Sequence, residues 1–371
     1  MKTAPIVSVF ISYYNDQLFL KESIQSILNQ SFTDFELILL NHASVDESEK
    51  IAHSFEDKRI VHITMEKNIG AGGSELFLTI LHTANGKYLK TFCADDVMEE
   101  DCLAELVLAL EANENLDFAF SNMSIINECG EAIKNGPDFS QASGKSENSL
   151  LKYIFNAISP IPYPTALIKR EKIKEEYVER IGVQLFDLRL WCNLLLADCK
   201  CKFIDKKLVK YRMHNGQLSG NHLGRNIQNR LAFEEFHLLD LFLENMNFVL
   251  AKMVFGADLP DDERFLKFNL CKIALNSQNF SVRTSALHHL FTMLQNDNLR
   301  LEIDQKYGID IATMRNLMTQ DKFSMLPQFN VKIYIIQFIK RKIIFFLSKL
   351  HLYNIVKKTF NCIKSKNINN I

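Results

Sequence analysis

Residues 6–11 read IVSVFI, and the chain continues Ser12-Tyr13-Tyr14-Asn15-Asp16. An almost wholly apolar run that turns polar at once marks a strand covered on both faces, with its end opening toward solvent. The period then changes. Leu20, Ile24, Ile27 and Leu28 recur at i, i+4, i+7 and i+8, which lays one apolar stripe along a helix. Residues 35–40 (FELILL) read as a second strand, closed by Asn41-His42-Ala43-Ser44-Val45-Asp46-Glu47. Within that segment Ser44 and Glu47 have capping-box spacing for a following helix. Strand signals return at 59–65, 88–93 and 118–121, and Leu103, Leu106, Val107 and Leu110 form another helical stripe. Strands alternating with helices over short connections predict an α/β fold with a doubly wound, mostly parallel sheet.

Past residue 122 the alternation loosens. Residues 127–149 are rich in Gly, Asn, Ser and Glu and read as a loop or flap. A helix over 150–157, a Pro-containing strand region over 161–168 and a helix over 187–197 lead to Tyr211-Arg212-Met213-His214. From about residue 221 only helical periodicity remains, with no repeat regular enough for a solenoid. Three segments are expected: an α/β domain over 1–220, an all-α accessory region over 221–331 and a tail over 332–371.

Of the 371 residues, 47% are hydrophobic and 23% charged, the balance of a globular chain that can bury a full core. No apolar run reaches the roughly 18 residues of a spanning helix. The chain enters its first strand almost at once, so no leader peptide is expected. Eight scattered cysteines, with Cys199 and Cys201 too close for a CxxC pair, suit reduced thiols in a cytoplasmic protein. The formal net charge of −1 conceals an asymmetry. Residues 332–371 carry nine Lys or Arg and no acidic residue, leaving 34 basic against 44 acidic residues before them. An acidic body argues against general nucleic-acid binding. In the tail, apolar clusters at 333–336, 343–347 and 352–356 alternate with Lys340-Arg341-Lys342, Lys349 and Lys357-Lys358. That pattern predicts an interfacial helix on an anionic membrane, hence a peripheral protein at the inner face of the cell membrane; the competing reading is a helix docked on the protein's own acidic body.

Ligands of parallel α/β sheets bind beyond the carboxyl ends of the strands. The candidates there are Ser12, Tyr14 and Asn15 after the first strand, His42 and Asp46 after the second, and Asp95 and Asp96 after the fourth. Adjacent carboxylates repel one another, and a divalent cation with substrate phosphates offsets that cost. The competing reading is that Asp95 and Asp96 cap a helix beginning near Met98. Trp191, the only tryptophan, falls in a helical stripe and reads as core.

Several blocks taken together resemble the family 2 glycosyltransferases. The opening Val7-Ser8-Val9-Phe10-Ile11-Ser12-Tyr13-Tyr14-Asn15, the helix LKESIQSILNQ over 20–30 and Asp34-Phe35-Glu36-Leu37-Ile38 resemble the family's first block. Asn85-Gly86-Lys87-Tyr88 before Ala94-Asp95-Asp96 resembles the strand leading into its DxD-type metal motif. Phe186-Asp187, Leu190-Trp191 and the run from Tyr211 to Ser219 follow in the family's order, so the resemblance spans about residues 5–220. It implies a GT-A fold that binds a nucleotide-diphospho-sugar, a UDP-sugar foremost, with Mn²⁺ or Mg²⁺. By the same resemblance, Asp96 ligates the metal, Asp95 contacts the ribose or sugar, Asp187 is the general base, and Arg212 and His214 contact diphosphate or metal. An inverting transfer to a glycan or lipid-linked acceptor in surface polysaccharide synthesis is the activity implied.

Several positions depart from the family pattern. Asn41-His42 stands where relatives carry an Asp pair, Cys93 where a further Asp is frequent, and Phe186 where a Glu often precedes the base. The segment Gly70-Ala71-Gly72-Gly73 is not a dinucleotide fingerprint, because Glu75 stands where a glycine is needed. The alternative is a non-catalytic binding or scaffolding protein on a degenerate fold of this type. A nucleotidyltransferase is disfavoured by the lack of a glycine-rich basic loop near the N-terminus.

Overall fold

The opening apolar run forms β1 (Val7–Tyr13), and both of its faces are covered. Val7, Val9 and Ile11 enter one core with Ile24, Leu37, Leu103 and Leu106. Phe10 points the other way, edge-on to Phe77 and Tyr163 at 5.6 and 6.4 Å. The computed structural model describes residues 4–70, 73–133, 145–178, 184–217 and 225–320. After β1 come α1 (Leu20–Leu28), β2 (Phe35–Asn41), α2 (Ser48–His53), β3 (Ile60–Thr64) and α3 (Gly73–Thr83). Then follow β4 (Tyr88–Thr91), β5 (Val97–Met98), α4 (Cys102–Glu111), β6 (Phe118–Ile126), α5 (Glu147–Phe155) and β7 (Ala166–Lys169). The sheet closes with α6 (Phe186–Leu196) and β8 (Cys201–Arg212).

The eight strands lie in the order β3-β2-β1-β4-β7-β6-β8-β5. β3, β2, β1 and β4 run parallel, β7 is antiparallel to β4 and β6, and β8 runs parallel to β6. The α/β expectation therefore holds, with helices against a mostly parallel sheet. Gly86 sits where a Cβ would come within 2.4 Å of the Ser8 nitrogen, so the turn before β4 packs directly on the start of β1.

Three local expectations change. α2 begins at Ser48, where Asp46 Oδ1 accepts the Ser48 N–H at 3.0 Å, so Ser44 and Glu47 do not form a capping box. Asp95 and Asp96 cap no helix, because the chain enters β5 and α4 starts only at Cys102. The sequence reading also misses the length of β8. Lysines at 202, 206, 207 and 210 mask its period, and its register against β6 slips twice between Ser121 and Met123.

Beyond the sheet lie α7 (Arg225–Phe236), α8 (Leu238–Asn245), α9 (Phe248–Phe255), α10 (Leu266–Ala274), α11 (Phe280–Met293) and α12 (Asp297–Tyr307). They close on α5 and α6. Phe155 of α5 meets Phe242 and Phe255 at 5.0 and 4.8 Å. The chain up to Asp310 forms one compact unit, and α13 (Ile311–Met318) belongs to a second. Trp191 is wholly buried and stacked on Phe118, in the core as its helical stripe predicts. Among the described residues no helix is long and apolar enough to cross a membrane. The tail over 332–371 lies outside the described residues.

Candidate active site

The loops that follow β1, β4 and β8 meet the start of α6 around a cavity of about 510 Å³. Ser12, Asp16, Asp95, Asp187, His214 and Gln217 supply its polar groups, and Phe10, Phe77, Phe92, Tyr163 and Phe186 line its apolar part. Of the candidates from sequence, Ser12, Asp95, Asp187 and His214 are therefore brought together.

Asp95 Oδ2 lies 2.9 Å from His214 Nε2. That bond raises the imidazole's pKa, against the effect of burial, with the charges of Asp95, Glu128 and Asp16 adding to it. Asp96 is fully buried behind this pair. Its Oδ1 accepts the backbone N–H of Arg212 at 2.9 Å, while Oδ2 is buried without a hydrogen-bond partner. Burial, then Asp95, hold the Asp96 carboxyl well above the usual carboxylate range. Ligand atoms of Cys93, Asp95 and Asp96 all fall within 4.8 Å of one another. An orphaned carboxyl oxygen beside a second carboxylate suits a hard divalent cation, so the residues present fit the expected metal.

Arg212 corrects the expectation drawn for it. Its side chain is 1% exposed and does not line the cavity. Nε donates to the Asp95 carbonyl at 2.8 Å, Nη1 to the carbonyls of Asn127 and Glu128, and Nη2 to Glu22 Oε2 at 2.6 Å. The guanidinium also lies over the Phe19 ring, 4.8 Å from its centroid. It braces the carboxylate loop from behind and does not face the cavity.

The ends of β1 and β2 also depart from expectation, because their polar groups serve the two loops themselves. Asn15, at φ +57°, donates its N–H to Ser44 Oγ and accepts the Val45 N–H on Oδ1. Asp46 accepts the N–H groups of Gln17 and Ser48. Burial alone would raise its pKa, but those bonds and the Ser48 hydroxyl hold it below the usual value. His42 is buried, its Nε2 accepts the Ile69 N–H at 3.0 Å, and burial lowers its pKa. A ring nitrogen so occupied cannot read a base edge. Neither Asn15, His42 nor Asp46 lines the cavity. Tyr14 stays 44% exposed beside it, its ring edge-on to His42 at 6.1 Å. Ser219 lies outside the described residues.

Asp187 lines the cavity from the start of α6. It is the second residue of α6, and its Oδ1 accepts the Leu188 N–H at 2.8 Å. Its side chain is half-buried. Burial pushes its carboxyl up to about 6, opposed by the Leu188 N–H and helped by the charge of Glu234. A carboxylate poised there is basic enough to accept a proton near neutrality.

The sequence reading missed two contributors. Asp16 lines the cavity, and burial pushes it up to about 6, with the Tyr14 N–H opposing and Asp95 and Asp46 adding. Its only signal was its place at the end of the first strand. Lys90 is wholly buried in β4, donating to the carbonyls of Thr91 and Pro164 at 2.8 and 2.5 Å. It ties the strand to the turn that carries Tyr163, and burial lowers its pKa to about 8. No sequence pattern distinguishes such a lysine from an edge-strand one.

Comparison with known proteins adds to this geometry. Residues 8–176 match the family profile described as Glycosyl transferase family 2. An uncharacterised glycosyltransferase of Methanocaldococcus jannaschii is 32% identical over 216 residues, which is 57% of this chain and 72% of that protein. A UDP-Glc:alpha-D-GlcNAc-diphosphoundecaprenol beta-1,3-glucosyltransferase of Escherichia coli is 26% identical over 216 residues, covering 58% and 80% of the two chains. Among solved structures, residues 1–349 of S. aureus TarS in complex with UDP-GlcNAc superpose with a TM-score of 0.50 at 16% identity, over 84% of this chain and 90% of that one. That last likeness is one of fold. With the strand order, the carboxylate loop and the matched sequence in agreement, the chain belongs to the family 2 glycosyltransferases.

Proposed function

We propose that this protein is a metal-dependent, inverting glycosyltransferase that moves a sugar from a nucleotide-diphospho-sugar, a UDP-sugar first, to a hydroxyl of a glycan or lipid-linked acceptor in surface polysaccharide assembly. The observation that carries the reading is that one cavity is lined both by the Asp95–His214 pair and by the proton-accepting Asp187. The E. coli relative named for a diphosphoundecaprenol-linked substrate supports the acceptor class.

Asp95, His214 and the free oxygen of Asp96 would hold Mn²⁺ or Mg²⁺. Such a cation neutralises the charge that develops on a leaving diphosphate. Ser12, which lines the cavity, would bond a ribose or sugar hydroxyl, and the exposed Tyr14 ring would serve as a platform for the base. Asp187 takes the proton of the acceptor hydroxyl as the acceptor oxygen bonds to the anomeric carbon and the bond to the diphosphate breaks. One base on the face opposite the leaving group suffices for inversion, with no covalent intermediate. The aromatic lining around Asp187 keeps water from that carbon.

The helices from α7 to α12 act as an accessory region within the same compact unit as the sheet. The basic tail over 332–371 holds the protein on the anionic inner face of the cell membrane, next to a lipid-linked acceptor. A screen of nucleotide-sugars for Mn²⁺-dependent binding by calorimetry, and for nucleoside diphosphate release, tests the reaction. Absence of metal-dependent binding to any nucleotide-sugar would sink it. Sedimentation with anionic vesicles, weaker at high salt, tests the tail.

A further inference from the structure

We infer that Glu234, on α7 of the helical region, is a positioning residue for Asp187: its carboxylate clamps the main chain that delivers the base to the cavity. The first turn of a helix leaves backbone N–H groups without partners, and a side chain near the cap normally takes one. α6 starts after Leu185, which has no side chain able to do so. Asp187 itself takes the Leu188 N–H, and Glu234, from 49 residues along the chain, holds the two residues that lead into the helix. Its Oε2 accepts the N–H of Gln184 at 2.8 Å and that of Leu185 at 2.7 Å. Bonds to an ionised acceptor are about twice as strong as neutral ones, and Glu234 is 7% exposed, so water competes little for it.

The clamp acts on the cavity wall itself. Gln184, Phe186 and Asp187 all line the cavity, and the bonded amides precede and interleave with them. A shift of this main chain would carry Asp187 with it. Glu234 also places a negative charge near the base, adding to what burial does. Among the described residues, the other titratable groups facing Asp187 are Cys93 after β4 and Tyr163 in the turn before β7. Burial holds both protonated, so Glu234 is the charged neighbour that tunes the base.

This inference rests on Asp187 being the base, and the test separates the two. The full chain is assayed with UDP-glucose and Mn²⁺ for UDP release across pH 5–9, an interval of about four units chosen to span a carboxylate near neutrality. Amide exchange at Gln184 and Leu185 is measured in the same variants without substrate. Glu234→Ala should lower kcat by roughly 10- to 100-fold through misplacement of the base, with donor KM within about twofold. Both amides should exchange faster. Glu234→Gln keeps an acceptor oxygen and loses the charge. It should restore kcat at pH 8 and amide protection, while moving the acid limb of the pH–rate profile to lower pH. A folded Glu234→Ala protein with unchanged amide protection overturns the inference, as does parental kcat or an unmoved acid limb in Glu234→Gln. If Asp187→Asn keeps its turnover, the base assignment fails. If Asp187→Asn is inactive while Glu234→Ala is parental, only the clamp fails.

Discussion

The cavity wall after β4 carries Asp95, with Asp96 buried behind it, bonded to His214 and braced by Arg212; the wall at the start of α6 carries Asp187, with no partner side chain among the described residues. The first wall sets two carboxyls next to each other and leaves one oxygen unsatisfied, an arrangement that suits a cation. The second wall isolates one carboxyl from water, so that it prefers a proton more than a free aspartate does. Binding a phosphate-linked donor and taking a proton from an acceptor need these opposite environments. Identical side chains acquire different chemistry from their surroundings alone.

The largest expected effect lies on the Asp187 wall. Asp187→Asn should lower turnover by roughly 10²- to 10⁴-fold while leaving donor binding intact, as removal of a general base does. Calorimetric donor affinity measured beside kcat checks it. A parallel loss of affinity would mean that the two walls are not separate in function.

Next comes the brace. Arg212→Met removes the bonds to Glu22, Asn127 and Glu128 and to the Asp95 carbonyl, all from a side chain 1% exposed. Breaking a buried charged network typically costs about 3 kcal/mol or more, so the melting temperature should fall by several degrees and metal affinity with it. A protein that melts like the parent would show that the carboxylate loop holds itself.

His214→Ala should weaken Mn²⁺-dependent donor binding by about 10- to 100-fold, the usual cost of losing a group that orients a metal ligand. The effect should vanish when donor binding is measured without metal. An equal loss in both conditions would place His214 on the donor and off the cation.

The smallest effect is one of pH. The folded-state pKa of Asp187 is raised above that of a free aspartate, to about 6. The folded protein therefore holds this proton more tightly than the unfolded chain does. The contribution to stability is fully present below the unfolded value near pH 4 and is lost as pH rises through about 6. Asp187→Asn should accordingly be more stable than the parent at pH 8 and lose that advantage near pH 4. Denaturant midpoints at the two pH values would show it, and a pH-independent difference would contradict the buried-base picture. Activity should follow the opposite course, falling below about pH 6 as the base takes up its proton.

Much of the sheet was written in the period of the side chains. Continuous apolar runs at β1 and β2 and helical stripes at α1 and α4 are local consequences of burial, so they could be read without knowing any neighbour. The same holds for Asp95 as a candidate, since it stands at a strand end that α/β sheets expose, whereas Asp187 was legible only through the resemblance to the family. What Arg212, His42, Asn15 and Asp46 do could not be read that way. Each is a polar residue at a strand end, as a ligand contact would be, yet backbone groups and side chains distant in sequence meet their hydrogen bonds first. Only the tertiary structure decides which polar group is already satisfied and which still faces a cavity. For the same reason Asp16, Lys90 and Glu234 surfaced late. Their roles depend on burial and on main-chain partners supplied by other elements, and neither quantity has a period in the sequence.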